Sequence, residues 1–277
     1  MKNSVEITDR DILVFKLLNK FRVLDAELVF KLANFEDFKY VQKRLMMLYE
    51  SNYIGRERDG NTTPYVYFLR NKGMTVLNGD SEQKERPYVI REFSQSSVNH
   101  ELLVAEIAHR ILLANPSLII DEIQTDRELR KLGYRSDRVG DLRIEKFKIN
   151  IEVENTQKTF KRYPRKFAFN EDGFGQLWIL NGFKTLKRKL NEHIRLYITD
   201  RFVEAILLED IESYQFDLSD KAEMYRKQQQ LQFDAYYQER ENSIREAEEH
   251  EQERRAMIER EQALIDSSSK KKGFWNR

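Results

Sequence analysis

Residues 149–158 read INIEVENTQK, and within them Glu152 and Glu154 stand one residue apart in a strand-like run. A strand sends residues i and i+2 to the same face, so the two carboxylates point the same way, about 7 Å apart. Phe147, Ile149, Ile151 and Val153 alternate with Lys148, Asn150, Glu152 and Glu154, giving one apolar and one polar face. Asp141 follows Gly140 at the start of the preceding run, DLRIEKF. If the two runs pair as a hairpin, Asp141 and Glu152 converge near one end of the sheet. Two or three carboxylates with a backbone carbonyl suit Mg²⁺ or Mn²⁺, which can polarise a phosphodiester and activate a water. The same alternation also describes a wetted sheet face with no chemistry, and spacing alone leaves both readings open.

A basic segment follows. Lys158, Lys161, Arg162, Arg165, Lys166, Lys184, Lys187, Arg188 and Lys189 face only Glu171 and Asp172 between residues 156 and 189. In KTFKRYPRK the aromatic Phe160 and Tyr163 interleave with cations, a pattern suited to phosphate contact and base stacking, or to an ordinary solvated helix face. Tyr163 also has the chemistry of a nucleophile, although a core or stacking role fits it better. His100, His109, His193 and His250 are too scattered for a zinc site or a Ser-His-Asp triad. There is no phosphate-binding glycine loop.

The elements that must position these groups fall into zones. Over the 277 residues, 48 Lys and Arg balance 47 Asp and Glu, so nucleic-acid affinity must rest on local charge. The absence of cysteine excludes disulfides and thiolate metal sites. With no apolar leader and no long apolar run, a cytoplasmic protein without membrane insertion is expected. Thr8 with Asp11, then Asp25, then Asn34 with Asp37 predict the starts of three helices. In the third, Phe38, Val41, Leu45 and Leu48 should face a core, leaving Lys39, Gln42 and Lys43 outside. YIGRER and YVYFLRNKG follow as two strands. This order predicts a winged helix over 1–80, with Lys39, Gln42, Lys43 and Arg44 aimed at a major groove and Arg56 and Arg58 at flanking phosphates.

Residues 81–96 read as a linker. Residues 97–217 predict an α/β domain of order αβββαβαβ: a buried helix SSVNHELLVAEIAHRILLAN capped by Ser or Asn, then SLIIDEIQTDRELR, GDLRIEKF and KINIEVENT as strands. KTFKRYPRKFAFNED reads as a kinked helix, followed by the strand GQLWILNG, the basic helix KTLKRKLNEHI and a last strand. Residues 218–266, without Gly or Pro, predict a long charged helix suited to a protein partner, and 267–277 a basic tail. The chain is thus α/β in its central part and α+β overall.

Helix, strand with Asp, strand with Glu-x-acid resembles the PD-(D/E)XK nuclease core. More narrowly, the chain resembles the replication-relaxation family and the MobC-type mobilisation relaxases. The likeness lies in the T-x-R-D start at Thr8–Asp11, the YFLRNKG stretch with Arg70 where Thr is usual, NHELLVAEI, DRELR read as a strand, GDL, and IEVE-x-T-x-K followed by Arg162 and Tyr163. It covers roughly residues 7–200. The resemblance implies that Asp141 and Glu152 bind Mg²⁺ or Mn²⁺, with Glu101 or Glu106 completing the shell. Glu154 stands where the pattern usually has Lys, and Lys158 can lean back to supply that charge. Lys161, Arg162, Tyr163, Arg165 and Lys166 would then form the DNA floor. The expected function is metal-dependent nicking of double-stranded DNA at an origin-like site of a plasmid or other mobile element. The alternatives are a catalytically inactive DNA-binding initiator, accessory or regulator, and a scaffold docking a partner through the C-terminal helix.

Overall fold

Thr8 closes the first turn of helix α1 (Asp9–Phe21) in both directions. Its hydroxyl accepts from the Asp11 N–H at 3.3 Å, and the Asp11 carboxylate accepts from the Thr8 N–H at 2.8 Å. Asp25 caps α2 (Ala26–Leu32) by accepting from the Leu28 N–H at 2.8 Å. Asp37, not the expected Asn34, caps α3 (Phe38–Glu50) through the Lys39 N–H, so this helix starts three residues later than the sequence predicts. The computed structural model describes residues 5–58, 63–79, 85–87, 95–135, 140–156, 158–163, 174–198 and 202–218, together with 227, 230, 234, 236–255 and 257. Its two sheets and their helices make the mixed α/β, α+β chain that the sequence predicts.

Strands β1 (Leu24–Asp25), β2 (Ile54–Glu57) and β3 (Val66–Leu69) form an antiparallel sheet in the order β1-β3-β2, beside α1, α2 and α3. Two expectations change here. Phe38 is 38% exposed rather than turned to the core, which Val41, Leu45 and Leu48 occupy. The RNKG end of the second strand-like run leaves the sheet and opens α4 (Asn71–Asn78). Arg70 is the N-cap of α4 without a side-chain cap bond, since a guanidinium has no acceptor to offer the helix N–H groups.

The larger sheet runs β4 (Ile123–Thr125), β5 (Leu142–Ile144), β6 (Ile149–Glu154), β7 (Gly175–Leu180), β8 (Val203–Leu207). β4 to β6 form an antiparallel meander, whereas β6, β7 and β8 are parallel. The β7-to-β8 crossover is α7 (Lys184–Tyr197). On one face Leu142, Ile144, Ile151, Val153, Leu177 and Ile179 pack with Val104, Ile107 and Ile111 of α5 (Gln95–Ala114) in a core continuous with that of α1 to α3. On the other, Trp178, Leu180 and Leu207 pack with Leu186 and Leu190 of α7 and with Tyr163.

Three further expectations are corrected. DRELR is not a strand. Thr125 and Glu128 form a reciprocal capping box that opens helix α6 (Asp126–Lys131) directly after β4. α5 begins at Gln95, ahead of the Ser and Asn caps expected for it. The wetted sheet face left open for β6 is not what forms: β6 is central, with Asn150 2% and Glu154 4% exposed.

Residues 1–225 form one compact unit and 226–277 another. In the second, residues 236–255 are helical and almost wholly exposed. The expected tail at 267–277, the segment 164–173 of the kinked helix and most of the expected linker lie outside the described residues. No helix among the described residues is long and apolar enough to cross a membrane.

Candidate functional site

The β5–β6 hairpin sets the first distance. Leu142 pairs with Ile151, so Asp141 enters β5 beside Glu152. The chain passes so close there that a Cβ on Gly140 would stand 2.5 Å from the Ile151 carbonyl oxygen. Asp141 Oδ2 accepts from the Val153 N–H at 2.7 Å, between the two glutamates, and Oδ1 lies 3.2 Å from His100 Nε2 on α5. Asp141, Glu152, Glu154, Glu101 and Lys158 all line one cleft of about 400 Å³. The sequence therefore brings its catalytic and metal candidates to one place.

Within the cleft, cations and acids interlock. Lys158 Nζ reaches back to Glu154 Oε2 at 2.9 Å. Arg22, at the end of α1 and with φ +69°, donates to Glu101 and, at 2.7 Å, to Asp126. Arg130 also holds Asp126. Burial pushes the Glu101 carboxyl above its ordinary value, against the opposing pull of Arg22. Burial disfavours the charged His100 ring, but the Asp141 hydrogen bond and the nearby acids outweigh it, and its pKa is raised.

Residues 15–167 match the replication-relaxation family, a span of more than half the chain. The chain belongs to that family. No curated protein and no solved structure is similar enough to match. The family match runs from α1 past β6, so the whole cleft lies inside it, while α7 and the C-terminal helix lie beyond. Membership points to plasmid replication or mobilisation.

A divalent ion in this replication-relaxation protein would need its ligands from the cleft. No group of three or more His, Asp and Glu among the described residues is arranged to hold one. Mg²⁺, however, is commonly held by one or two carboxylates, with water and phosphate oxygens completing its shell. Asp141 and Glu152, which line the cleft together, are the two carboxylates such a site would use. Glu101 faces the same space with its carboxylate on Arg22, and Glu106 is turned to Lys31 and Arg110.

The DNA-binding candidates divide. Lys39, Gln42 and Lys43 are exposed on the outer face of α3. Arg44 is not free for DNA: its Nε donates to buried Asp11 at 2.8 Å and it also reaches the Glu6 carbonyl. The Arg56 guanidinium lies between the rings of Tyr49 and Tyr65, and exposed Arg58 lies over Tyr65. Lys161 and Arg162 are exposed, whereas Arg165 and Lys166 lie outside the described residues. Tyr163 is 1% exposed, packed edge-on against Trp178, and its hydroxyl accepts from the Lys158 N–H. That burial removes it from base stacking and from attack on DNA.

Sequence reasoning missed Arg22, Asp126 and Arg130. The T-x-x-E signal of Thr125–Glu128 was available to place Asp126 at a helix start. Nothing local marks Arg22, whose partners lie 79 and 104 residues away.

Proposed function

We propose that this chain binds duplex DNA at an origin-like site of a plasmid or other mobile element and nicks one strand in the Asp141–Glu152 cleft. The observation that carries the reading is the Asp141 hydrogen bond to the Val153 N–H, which ties the acid at the β5 entry between Glu152 and Glu154, in the cleft that Lys158 also enters. Residues 9–69 supply the duplex contact as a winged helix, with Lys39, Gln42 and Lys43 in the groove and Arg56 and Arg58 beside the hairpin. Asp141 and Glu152 would hold the Mg²⁺ or Mn²⁺. That ion, when bound, supplies charge stabilisation and an acidified water for phosphodiester cleavage. Asp141 is oriented by Val153 and His100. Lys158, steadied by Glu154, places a positive charge toward the phosphate oxygens. The exposed Lys161 and Arg162 extend that field beyond the cleft.

A second reading has its own support. Glu101, Asp126, Glu154 and Asp141 each already meet Arg, Lys or His. That arrangement suits a non-catalytic initiator or accessory that only binds. Supercoiled plasmid carrying the element's own origin separates the two. Conversion to open circle with Mg²⁺ or Mn²⁺, lost in Asp141→Ala and Glu152→Ala while duplex affinity stays unchanged, supports the nickase. Wild-type protein that binds the origin and leaves it closed with either metal establishes the binding reading instead.

A further inference from the structure

Lys158 leads out of the cleft, and two residues later Phe160 is 37% exposed. Its ring stands 6.1 Å from His193 of α7, edge to face, and His193 stands 4.8 Å from the ring of Tyr197. Tyr197 is 72% exposed and its neighbour Leu196 57%. Lys189, His193 and Tyr197 recur at four-residue spacing and so share one face of the helix. Exposed cations flank this strip: Lys161 and Arg162 follow Phe160 in the chain, and Lys189 shares the helix face of His193, while Arg188 and Arg195 turn to the other side of α7. By contrast, Lys184 and Lys187 at the start of α7 are engaged by Glu209 and Asp210.

We propose that the Phe160–His193–Tyr197 strip is a platform for single-stranded DNA. A duplex hides its base faces and would gain nothing from exposed rings, whereas every base of a single strand offers a π-face to stack. A protein partner explains the rings but not the lysines, which are depleted at such interfaces. The basic rim instead complements a phosphate backbone. Because the strip begins two residues beyond Lys158, it lies where a strand freed at the cleft would emerge. That last point rests on the proposed nicking; the binding itself does not.

Full-length protein titrated into fluorescein-labelled oligo(dT) and into a duplex of the same length, followed by anisotropy, tests this directly. Tyr197→Ala should weaken oligo(dT) binding by about five- to 150-fold, the range for one lost base stack, and leave duplex affinity unchanged. Tyr197→Trp should restore it. Phe160→Ala should act in the same direction, and Lys189→Ala should lower the salt slope by about 0.7. Wild-type protein that does not bind oligo(dT), or Tyr197→Ala that binds it as tightly as wild type, overturns the proposal. So does a Tyr197→Ala effect that sedimentation traces to loss of a dimer. Plasmid that stays closed while Tyr197→Ala still loses oligo(dT) would sink the nicking and leave the platform standing.

Discussion

Lys158 Nζ lies 2.9 Å from Glu154 Oε2, so the positive charge absent from the strand returns to the same cleft from the turn after it. Glu154 is 5% exposed at its side chain. Lys158→Met should therefore destabilise the fold by about 1–3 kcal/mol, since it strands a buried acceptor. Adding Glu154→Gln should recover most of that loss in urea unfolding. A double variant as unstable as the single would show that the pair does not hold the turn.

Arg22 joins the N-terminal helices to two acids of the cleft, and its side chain and those of Glu101 and Asp126 are each less than one-fifth exposed. Arg22→Met takes that cation from buried Glu101 and leaves Asp126 to Arg130 alone. The expected cost is about 3–5 kcal/mol. Lys20→Met should cost less, because its partner Glu128 is 38% exposed. Chemical denaturation of both variants ranks them, and the reverse order would count against the bridge.

Acid should expose the role of Asp11. Burial raises its pKa, but hydrogen bonds from Arg44 and Thr8 outweigh that and hold it below the ordinary 3.8. A carboxyl lowered by folding stabilises the protein fully above its unfolded value, and that stability is lost as pH falls through the folded one. Asp11→Asn should thus lower stability at neutral pH and flatten its decline in acid. Thermal melts between neutral and strongly acidic pH check both parts.

These pairs also mark the limit of what the sequence makes legible. Local signals gave the caps at Thr8 and Asp25, the alternation of β6 and the hairpin that sets Asp141 beside Glu152, but named Asn34 where Asp37 is the cap. Phe38 kept the helical period yet lies at the edge of the buried stripe, because three apolar positions already fill it. Arg44 read as a groove contact since its partner, Asp11, is 33 residues away. Tyr163 sat in a basic run and still became core, because Trp178 lies across from it. Such outcomes depend on distant neighbours, which composition and spacing do not carry.

Gly140 offers a backbone test of the site. A Cβ there meets the Ile151 carbonyl, a main-chain group that cannot swing aside. Gly140→Ala should cost about 1–3 kcal/mol by forcing β5 from β6. It should also reduce nicking of origin plasmid more than Gly133→Ala, which strains a backbone at φ +92° but meets nothing within 4 Å and lies outside the cleft. Equal effects at the two glycines would argue against this close approach.

On α3, Lys43→Ala should weaken origin and unrelated duplex alike and reduce the magnitude of the salt slope by about one phosphate contact. Gln42→Ala should instead relax preference among sequences. Anisotropy over a salt series distinguishes them, and an unchanged slope for Lys43→Ala would remove that lysine from the backbone contact.

The N-terminal helices and the larger sheet share one continuous core, and the seam is closed by Lys20–Glu128, Arg22–Asp126 and Lys31–Glu106. If DNA is read at α3 and cut at the cleft, this body acts as a ruler. The offset between the bases recognised and the bond broken belongs to the protein and cannot be taken up by a flexing tether. One base pair inserted between them would turn the target by about a tenth of a helical turn away from the cleft.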